Sequence, residues 1–566
     1  HGDNMGNRKP AVRWFYDIEA EAWDRPLLVV AQREDGEEKV FHGPDSTRQV
    51  AELMRREGGE WIAHAGGIYD HLLVWRDSSW PRDVVLAGSS VQRASDYPVK
   101  GRPSLQWLDS MPLWGVGLDV VGRAIGLPKL EADRATLEKL PPEELVAYCR
   151  RDVEILRRGW LAEAEWLAQF GVTARTSGSA AVKLLAAMDA PSWGVMADCL
   201  VDPKLSTGAR GRPGALSAIR GGRTETRRVG LVEGPVYVYD LHSSYPSQFA
   251  CGAVPVGLEP DDSRDLSAWG WLDLVTWLAP RRDDHRTAFE LSRDGRGVGA
   301  LTAWLTWEQA WALDQRGMQP RRHGCGWRPE GRCEAFAAPF VKELYRLKED
   351  KTKVESFFAK VTLNSLHGRL GMDPVRFNYV KNAAATVDGM TSWRQAYCPR
   401  KTRLQVTPDQ QPLAAACILA RGRLNLAVAI EALEERGWAF YYADTDSLHT
   451  NCPPEEFARF LPLGPGIGFW GHEGTASSAV YLAAKTYHLQ LDGKEKTAAK
   501  GMPKDALTRD RFLAAARGDV VELGRGGLGR IRAGDTAGRA VELTRTMRPV
   551  HVGRTRLASG VLRYDD

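Results

Sequence analysis

The chain lacks the features that mark several protein classes. Its eight cysteines contain no CxxC pair. Cys325 and Cys333 with His323 form the one local group and show no evident fourth ligand, so the thiols read as free in a reducing compartment rather than as a zinc site or disulfide frame. No run of about eighteen apolar residues stands out, and neither does a charged-then-apolar amino-terminal segment, so the expectation is a cytoplasmic protein without a membrane partner. Charge of one sign is also lacking. With 76 Lys+Arg against 72 Asp+Glu the net charge is +4, too balanced for uniform coating of a polyanion, so phosphate contacts must come from local clusters. What the chain does have is length: 566 residues exceed what one core supports and imply several domains. It also has 20 tryptophans, whose expected role is packing more than base stacking.

Three segments occur in order: Tyr239-Asp240-Leu241-His242-Ser243-Ser244-Tyr245-Pro246-Ser247, then Lys360 to Gly368, then Tyr442-Ala443-Asp444-Thr445-Asp446-Ser447. Asp240 ends the alternating run Val236-Tyr237-Val238-Tyr239, which reads as a strand. Asp444 and Asp446 follow Trp438-Ala439-Phe440-Tyr441-Tyr442, a second strand-like run, which puts them on one face or across a tight hairpin. Rigidly held carboxylates suit a pair of magnesium ions stabilising both ends of an in-line phosphoryl displacement, with manganese as an alternative. Between them, Lys360, Asn364 and His367 at i, i+4 and i+7 make one polar stripe on a helix, while Phe357, Val361 and neighbouring leucines face inward. A lysine on that stripe meets triphosphate oxygens as a point charge. Lys348, Lys351 and Lys353 precede it, and the sequence does not say which faces phosphate.

A second group lies near the amino end. Trp14-Phe15-Tyr16-Asp17-Ile18-Glu19 is an apolar strand whose two acids point to one side. Tyr69-Asp70 and Tyr148-Cys149-Arg150-Arg151-Asp152 follow, with Tyr148 and Asp152 one helical turn apart. Four acids and a phenol are the set a two-metal phosphodiesterase needs.

The chain resembles the family B DNA polymerases, whose motifs DxxSxYPS, KxxxNSxYG and YxDTDS match these segments. The resemblance implies Asp240 and Asp446 as principal metal ligands with Asp444 supporting, and Tyr245 as the residue under the incoming sugar that excludes a 2'-hydroxyl. It implies Lys360 and Asn364 as nucleotide-binding residues, and of the preceding lysines Lys348 is expected to join them. His367 stands where relatives have tyrosine, and an imidazole can also stack. The amino-terminal group resembles the family's 3'-5' proofreading exonuclease, with Asp17, Glu19 and Asp152 as metal ligands and Asp70 and Tyr148 as further catalytic residues. Ala65 occupies the place of an asparagine that holds the single-stranded 3' end, and alanine cannot make that hydrogen bond, so a weakened exonuclease is expected. Arg220-Gly221-Gly222 resembles a Tyr-x-Gly-Gly template-binding element, with Ile219 in the tyrosine's place. Lys485-Thr486-Tyr487 resembles a Lys-x-Tyr element at the primer terminus, and Phe469 to Glu473 a connecting stretch whose expected role is packing. Basic residues recurring from Lys485 to Arg556, among them Lys500, Lys504, Arg530 and Arg554, suggest a groove along duplex backbone.

The implied fold is mixed α/β and α+β multidomain: an RNase H-like 3'-5' exonuclease domain (1–170) followed by a right-hand polymerase with two insertions. The expected parts are palm (171–253), insertion one (254–335), fingers (336–370), insertion two (371–411), palm again (412–484) and thumb (485–566). The intervals 360−240 = 120 and 444−360 = 84 residues exceed a palm and a two-helix fingers unit. The excess resembles the compact protein-primed polymerases of bacteriophages and linear plasmids, in which one insertion docks a terminal protein and the other gives strand displacement. Insertion two is expected to be irregular, broken at Asn378, Pro399 and Pro408. The implied activity is DNA synthesis from dNTPs on primer-template DNA by a monomer, with a terminal protein as the subfamily's primer and a bacterial host cytoplasm as the setting. The alternatives are a conventional, non-protein-primed family B polymerase, and a nuclease or DNA-binding repair factor with a decayed polymerase half.

Overall fold

The structure is a computed structural model describing residues 12–22, 25–76, 83–87, 90–96, 103–131, 139–209, 212–250, 252–279, 299–373, 377–381, 385–387, 390–392, 406–499, 502, 506–528, 540–547, 549, 556–557 and 560–561. Of the basic residues expected along the carboxyl-terminal groove, Lys500, Lys504, Arg530 and Arg554 lie outside that set, as does Pro399.

The amino-terminal part is built on an eight-stranded sheet whose middle is parallel: Arg13–Ala22 runs beside Gly59–Ala63, and that beside Leu105–Asp109. Alternation along these strands separates two cores. Trp14, Tyr16, Ile18, Trp61 and Trp107 enter one, packed under the helices Ser46–Glu57 and Asp70–Arg76. Phe15, Ile62 and Leu108 enter the other, against Tyr148, Cys149, Val153, Leu156 and Trp160 of the long helix Pro142–Ala168. Asp17 and Glu19 continue the Phe15 face, so the strand aims both acids at that helix.

The sheet does not close within this part. Its outer edge strand is Phe377–Lys381, antiparallel to Asp83–Ala87 with Asn378 opposite Leu86. Asn378 was expected to break regular structure; it lies inside a strand because an unpaired sheet edge supplies backbone partners that outweigh local preference. Pro408 does sit in a turn.

A second, seven-stranded antiparallel sheet runs in the order Thr224–Thr226, Phe440–Asp444, Ser447–Thr450, Gly230–Leu241, Trp470–Ala483, Thr486–Leu491, Lys494–Ala499. One face packs Tyr239, Leu241, Phe440, Ala443 and Leu448 on Leu426, Ala429, Ile430 and Leu433 of the helix Pro412–Glu434. That helix is long and apolar enough to cross a membrane by length and composition, but it is a core helix here, 78% buried over its most apolar window. The helices Ala338–Glu349 and Glu355–Leu370 pack on each other and on Ser177–Met188 through Phe340, Leu344, Phe358, Leu363 and Leu366. Phe357 and Val361, expected inside, are half-buried, because the buried stripe runs through Phe358, Ala359, Thr362, Leu363 and Leu366.

Within 254–335, the strands Glu259–Asp261, Gly326–Arg328, Leu272–Ala279, Gly299–Thr306 and Arg321–Arg322 make a separate small sheet. At its centre the fully buried Arg322 guanidinium meets Asp261 at 2.5 Å and Asp273 at 3.2 Å, and lies 4.2 Å from the Trp271 ring centroid. Cys325 contacts Asp273 and Cys333 contacts Ser192, and neither is in a disulfide.

Candidate active sites

The second sheet brings the separated acids together. Asp240 is opposite Ser447, and Ser447 closes the hairpin on Asp444. The Leu241 N–H donates to the Asp446 carbonyl at 2.8 Å, which holds residue 446, in the hairpin turn, beside the strand end that carries residue 240. The turn requires Thr445 at φ 62°, held by its N–H donating to the Arg223 carbonyl at 2.6 Å. Burial, with Asp446 nearby, pushes the Asp240 carboxyl up to about 7, and burial, with Asp444 nearby, pushes Asp446 up to about 6. Two half-buried acids whose charged forms are both disfavoured have the donor chemistry of a divalent cation site. Asp444 is engaged differently: it accepts from Lys485 Nζ at 2.8 Å on both oxygens and from Thr224 Oγ1 at 2.9 Å.

Tyr245 lies between these acids and the Glu355–Leu370 helix, its ring centroid 4.3 Å from that of His367. Burial, with the charges of Asp446 and Asp444, raises the phenol to about 12. Burial lowers His367 to about 4, so the imidazole is neutral. Lys360 and Asn364 are exposed on the same helix. Of the lysines left open by the sequence, Lys348 points inward, donating to Ser243 Oγ at 2.9 Å, while Lys353 pairs with Asp350. Tyr487 packs edge-on against Tyr442 with centroids 5.0 Å apart. Arg220, Gly221 and Gly222 run past the tip of the hairpin; Arg423 Nη1 donates to the Arg220 and Gly221 carbonyls.

The amino-terminal residues converge as well. Ligand atoms of Asp17, Glu19 and Cys149 lie within 4.8 Å of one another. The Ile18 N–H donates to Asp70 Oδ1 at 3.1 Å, and burial beside Asp17 raises Asp70 well above the usual carboxylate range. Two carboxylates suit a hard cation there, whereas the thiol is a soft donor. Asp152 is 2.5 Å from Lys129 Nζ, which also stands 5.5 Å from the Tyr148 ring centroid. Ala65 adopts φ 58°.

Sequence reasoning missed three participants. Lys129 sits in a loop between motifs, where no local pattern marks it. Arg423 lies on a helix whose role reads as packing. Glu473 falls in the stretch expected only to pack, yet its charge acts on both Asp240 and Lys348.

No family model matches the chain. The DNA polymerase of Streptococcus phage Cp-1 is 29% identical over 187 residues, covering 30% of this chain and 30% of that protein. The DNA polymerase of Bacillus phage Nf is 28% identical over 178 residues, covering 30% and 28%. Among solved structures, Phi29 DNA polymerase complexed with single-stranded DNA superposes with a TM-score of 0.72 at 16% identity, covering 95% of this chain and 100% of that one. The fold is that of Phi29 DNA polymerase. The Phi29 enzyme complexed with primer-template DNA and incoming nucleotide substrates matches with a TM-score of 0.68 over the same shares. The mixed α/β multidomain architecture expected from the motifs is therefore the architecture present. The aligned segment covers less than a third of each curated relative's length.

Proposed function

We propose that the chain is a DNA-directed DNA polymerase with a 3'-5' exonuclease, extending a primer hydroxyl with dNTPs on a DNA template. The observation carrying this reading is the hydrogen-bonded approach of the Asp446 turn to the Asp240 strand end, with the Tyr245 ring against His367 of the helix that also bears Lys360 and Asn364. Asp240 and Asp446 would hold divalent ions, Mg2+ or Mn2+. When bound, such a pair stabilises the attacking and leaving oxygens of an in-line displacement. Lys360 and Asn364 meet the triphosphate of the incoming nucleotide, Lys348 reaches inward from the neighbouring helix, and the Tyr245 ring lies under the sugar. Lys485 and Tyr487 lie beside Asp444, on the side where the primer end must come.

In the amino-terminal site, Asp17, Glu19 and Asp152 would hold ions while Tyr148 orients the attacking water and Asp70 supports the cluster. Residues 1–170 serve as exonuclease domain, 171–253 with 412–484 as palm, 336–370 as fingers and 485–566 as thumb. Insertion one (254–335) docks a terminal-protein primer, and insertion two (371–411) supports strand displacement. The edge strand that residues 377–381 add to the exonuclease sheet supports the second assignment, since it ties the insertion across the two activities. The enzyme works as a monomer in the host cytoplasm.

The test is primer extension with four dNTPs and Mg2+, using an oligonucleotide primer in one arm and a priming protein bearing tyrosine or serine in the other. Extension in either arm is expected. Failure in both, with nuclease activity retained, would overturn the polymerase reading.

A further inference from the structure

Residues 220–224 form a strap over the tip of the Asp444–Asp446 turn, fastened at both ends. At one end the Arg423 guanidinium, buried on the Pro412–Glu434 helix, donates to the Arg220 carbonyl at 2.7 Å and the Gly221 carbonyl at 3.2 Å. At the other, the Arg223 carbonyl accepts the Thr445 N–H at 2.6 Å, and Thr224 pairs with Asp444 as a sheet neighbour.

Gly222, between the fastenings, has no room for a side chain. A Cβ there would stand 2.6 Å from Thr445 Oγ1 and 2.8 Å from the Tyr245 phenol oxygen, closer than carbon atoms approach. The phenol is hydrogen-bonded to the Gly222 backbone. A Cβ at Gly422 would stand 3.0 Å from Tyr245 Cε1. Tyr245 is thus seated against one glycine on the strap and another beside the arginine that fastens it.

We infer that Arg423 is a positioning residue for sugar selection: by fastening the strap it fixes Gly222, and through Gly222 the Tyr245 phenol, at the distance from the acids that admits a 2'-deoxyribose and rejects a ribose. This deepens the polymerase reading and rests on it. One guanidinium nitrogen, Nη1, reaches the carbonyls of two consecutive residues, and the shorter lysine stem brings its ammonium to them only in part. Selection against one hydroxyl depends on sub-ångström placement of the opposing ring, since misplacement by about 1 Å is enough to change rates on the order of 10²-fold. Ile219, where relatives have tyrosine, takes no part, because the hold runs through backbone carbonyls.

The test measures single-nucleotide incorporation of a dNTP and the matching rNTP by wild type, Arg423→Ala, Arg423→Lys, Tyr245→Phe and the Arg423→Ala/Tyr245→Phe double variant. The expected result is a discrimination ratio in kcat/KM that falls about tenfold or more in Arg423→Ala, chiefly through a lower KM for the rNTP. Arg423→Lys is intermediate, Tyr245→Phe falls in the same direction, and the double variant is no worse than the larger single effect, as a shared route requires. Equal losses on both nucleotides, leaving the ratio unmoved, or additive effects in the double variant would overturn the inference alone. No dNTP incorporation by the wild type would overturn the polymerase reading and the inference with it. Should Arg423→Ala fail to fold by circular dichroism, Arg423→Lys and Tyr245→Phe carry the comparison, and an unmoved ratio in both overturns the inference.

Discussion

Lys485 Nζ stands 2.8 Å from each carboxylate oxygen of Asp444. The three acids of the site therefore divide: Asp444 has a protein cation, while burial raises the carboxyls of Asp240 and Asp446, with Asp446 adding to the rise at Asp240. Asp444→Asn is expected to retain incorporation, reduced about 10- to 100-fold because the lysine loses its anchor near the primer end. Steady-state kinetics against primer-template concentration should show the loss mainly in KM. A complete loss of activity at saturating DNA would mean that Asp444 is itself a required ligand.

Ala65 sits in the left-handed region, where asparagine is several-fold enriched over other non-glycine residues. Ala65→Asn is expected to speed degradation of a 5'-labelled single strand several-fold without lowering Tm, since asparagine tolerates this backbone better than alanine. An unchanged rate would show that the exonuclease is not weakened at this position.

Lys129 reaches Asp152 at 2.5 Å from a largely buried position. Lys129→Met removes the cation paired with that carboxylate, so exonuclease activity should fall steeply and thermal stability should drop by less than the about 3–5 kcal/mol of a fully buried pair, since Lys129 is partly exposed. Polymerase activity measured on the same preparation should persist.

Glu163, in the amino-terminal core, accepts from Trp114 Nε1 at 2.5 Å, and burial pushes its carboxyl up to about 8. The unfolded chain releases this proton near the ordinary glutamate value of about 4.3, whereas the folded chain keeps it. Stability is therefore fully present at low pH and falls as pH rises from that value toward 8, by at most about 1.4 kcal/mol per pH unit. Glu163→Gln should flatten the fall in Tm between about pH 5 and about pH 8, the window in which the folded state alone holds the proton. Parallel Tm curves for the two proteins would contradict this.

Arg322 neutralises two acids inside the small inserted sheet. Arg322→Met should cost about 3–5 kcal/mol by removing the buried cation between Asp261 and Asp273. Limited proteolysis should then open the 259–328 region before the rest of the chain.

The legible parts of this protein were those where chemistry imposes residue types at fixed spacing. Asp240 at a strand end, the Asp444–Asp446 turn and the Lys360–His367 stripe each combine a periodicity with a reactive group, so their neighbours could be inferred. Lys129 and Arg423 were illegible because each acts at long sequence range: one reaches Asp152 from a loop, the other reaches backbone carbonyls some 200 positions away (202 and 203 residues). Backbone carbonyls leave no mark in a sequence. Asn378 misled for a related reason, since the strand of the amino-terminal sheet that pairs with its segment lies almost 300 residues upstream (378−86 = 292). Tertiary pairing there overrides a local preference for turns.

The pairing of Asp240 with Asp446 is tested most directly by primer extension with Asp446→Asn under saturating Mg2+, alongside a filter assay of primer-template binding. Extension should fall by at least about 10³-fold while binding stays within about twofold of wild type, because the carboxylate serves the ions and not the DNA. Extension by the variant at the wild-type rate would contradict it.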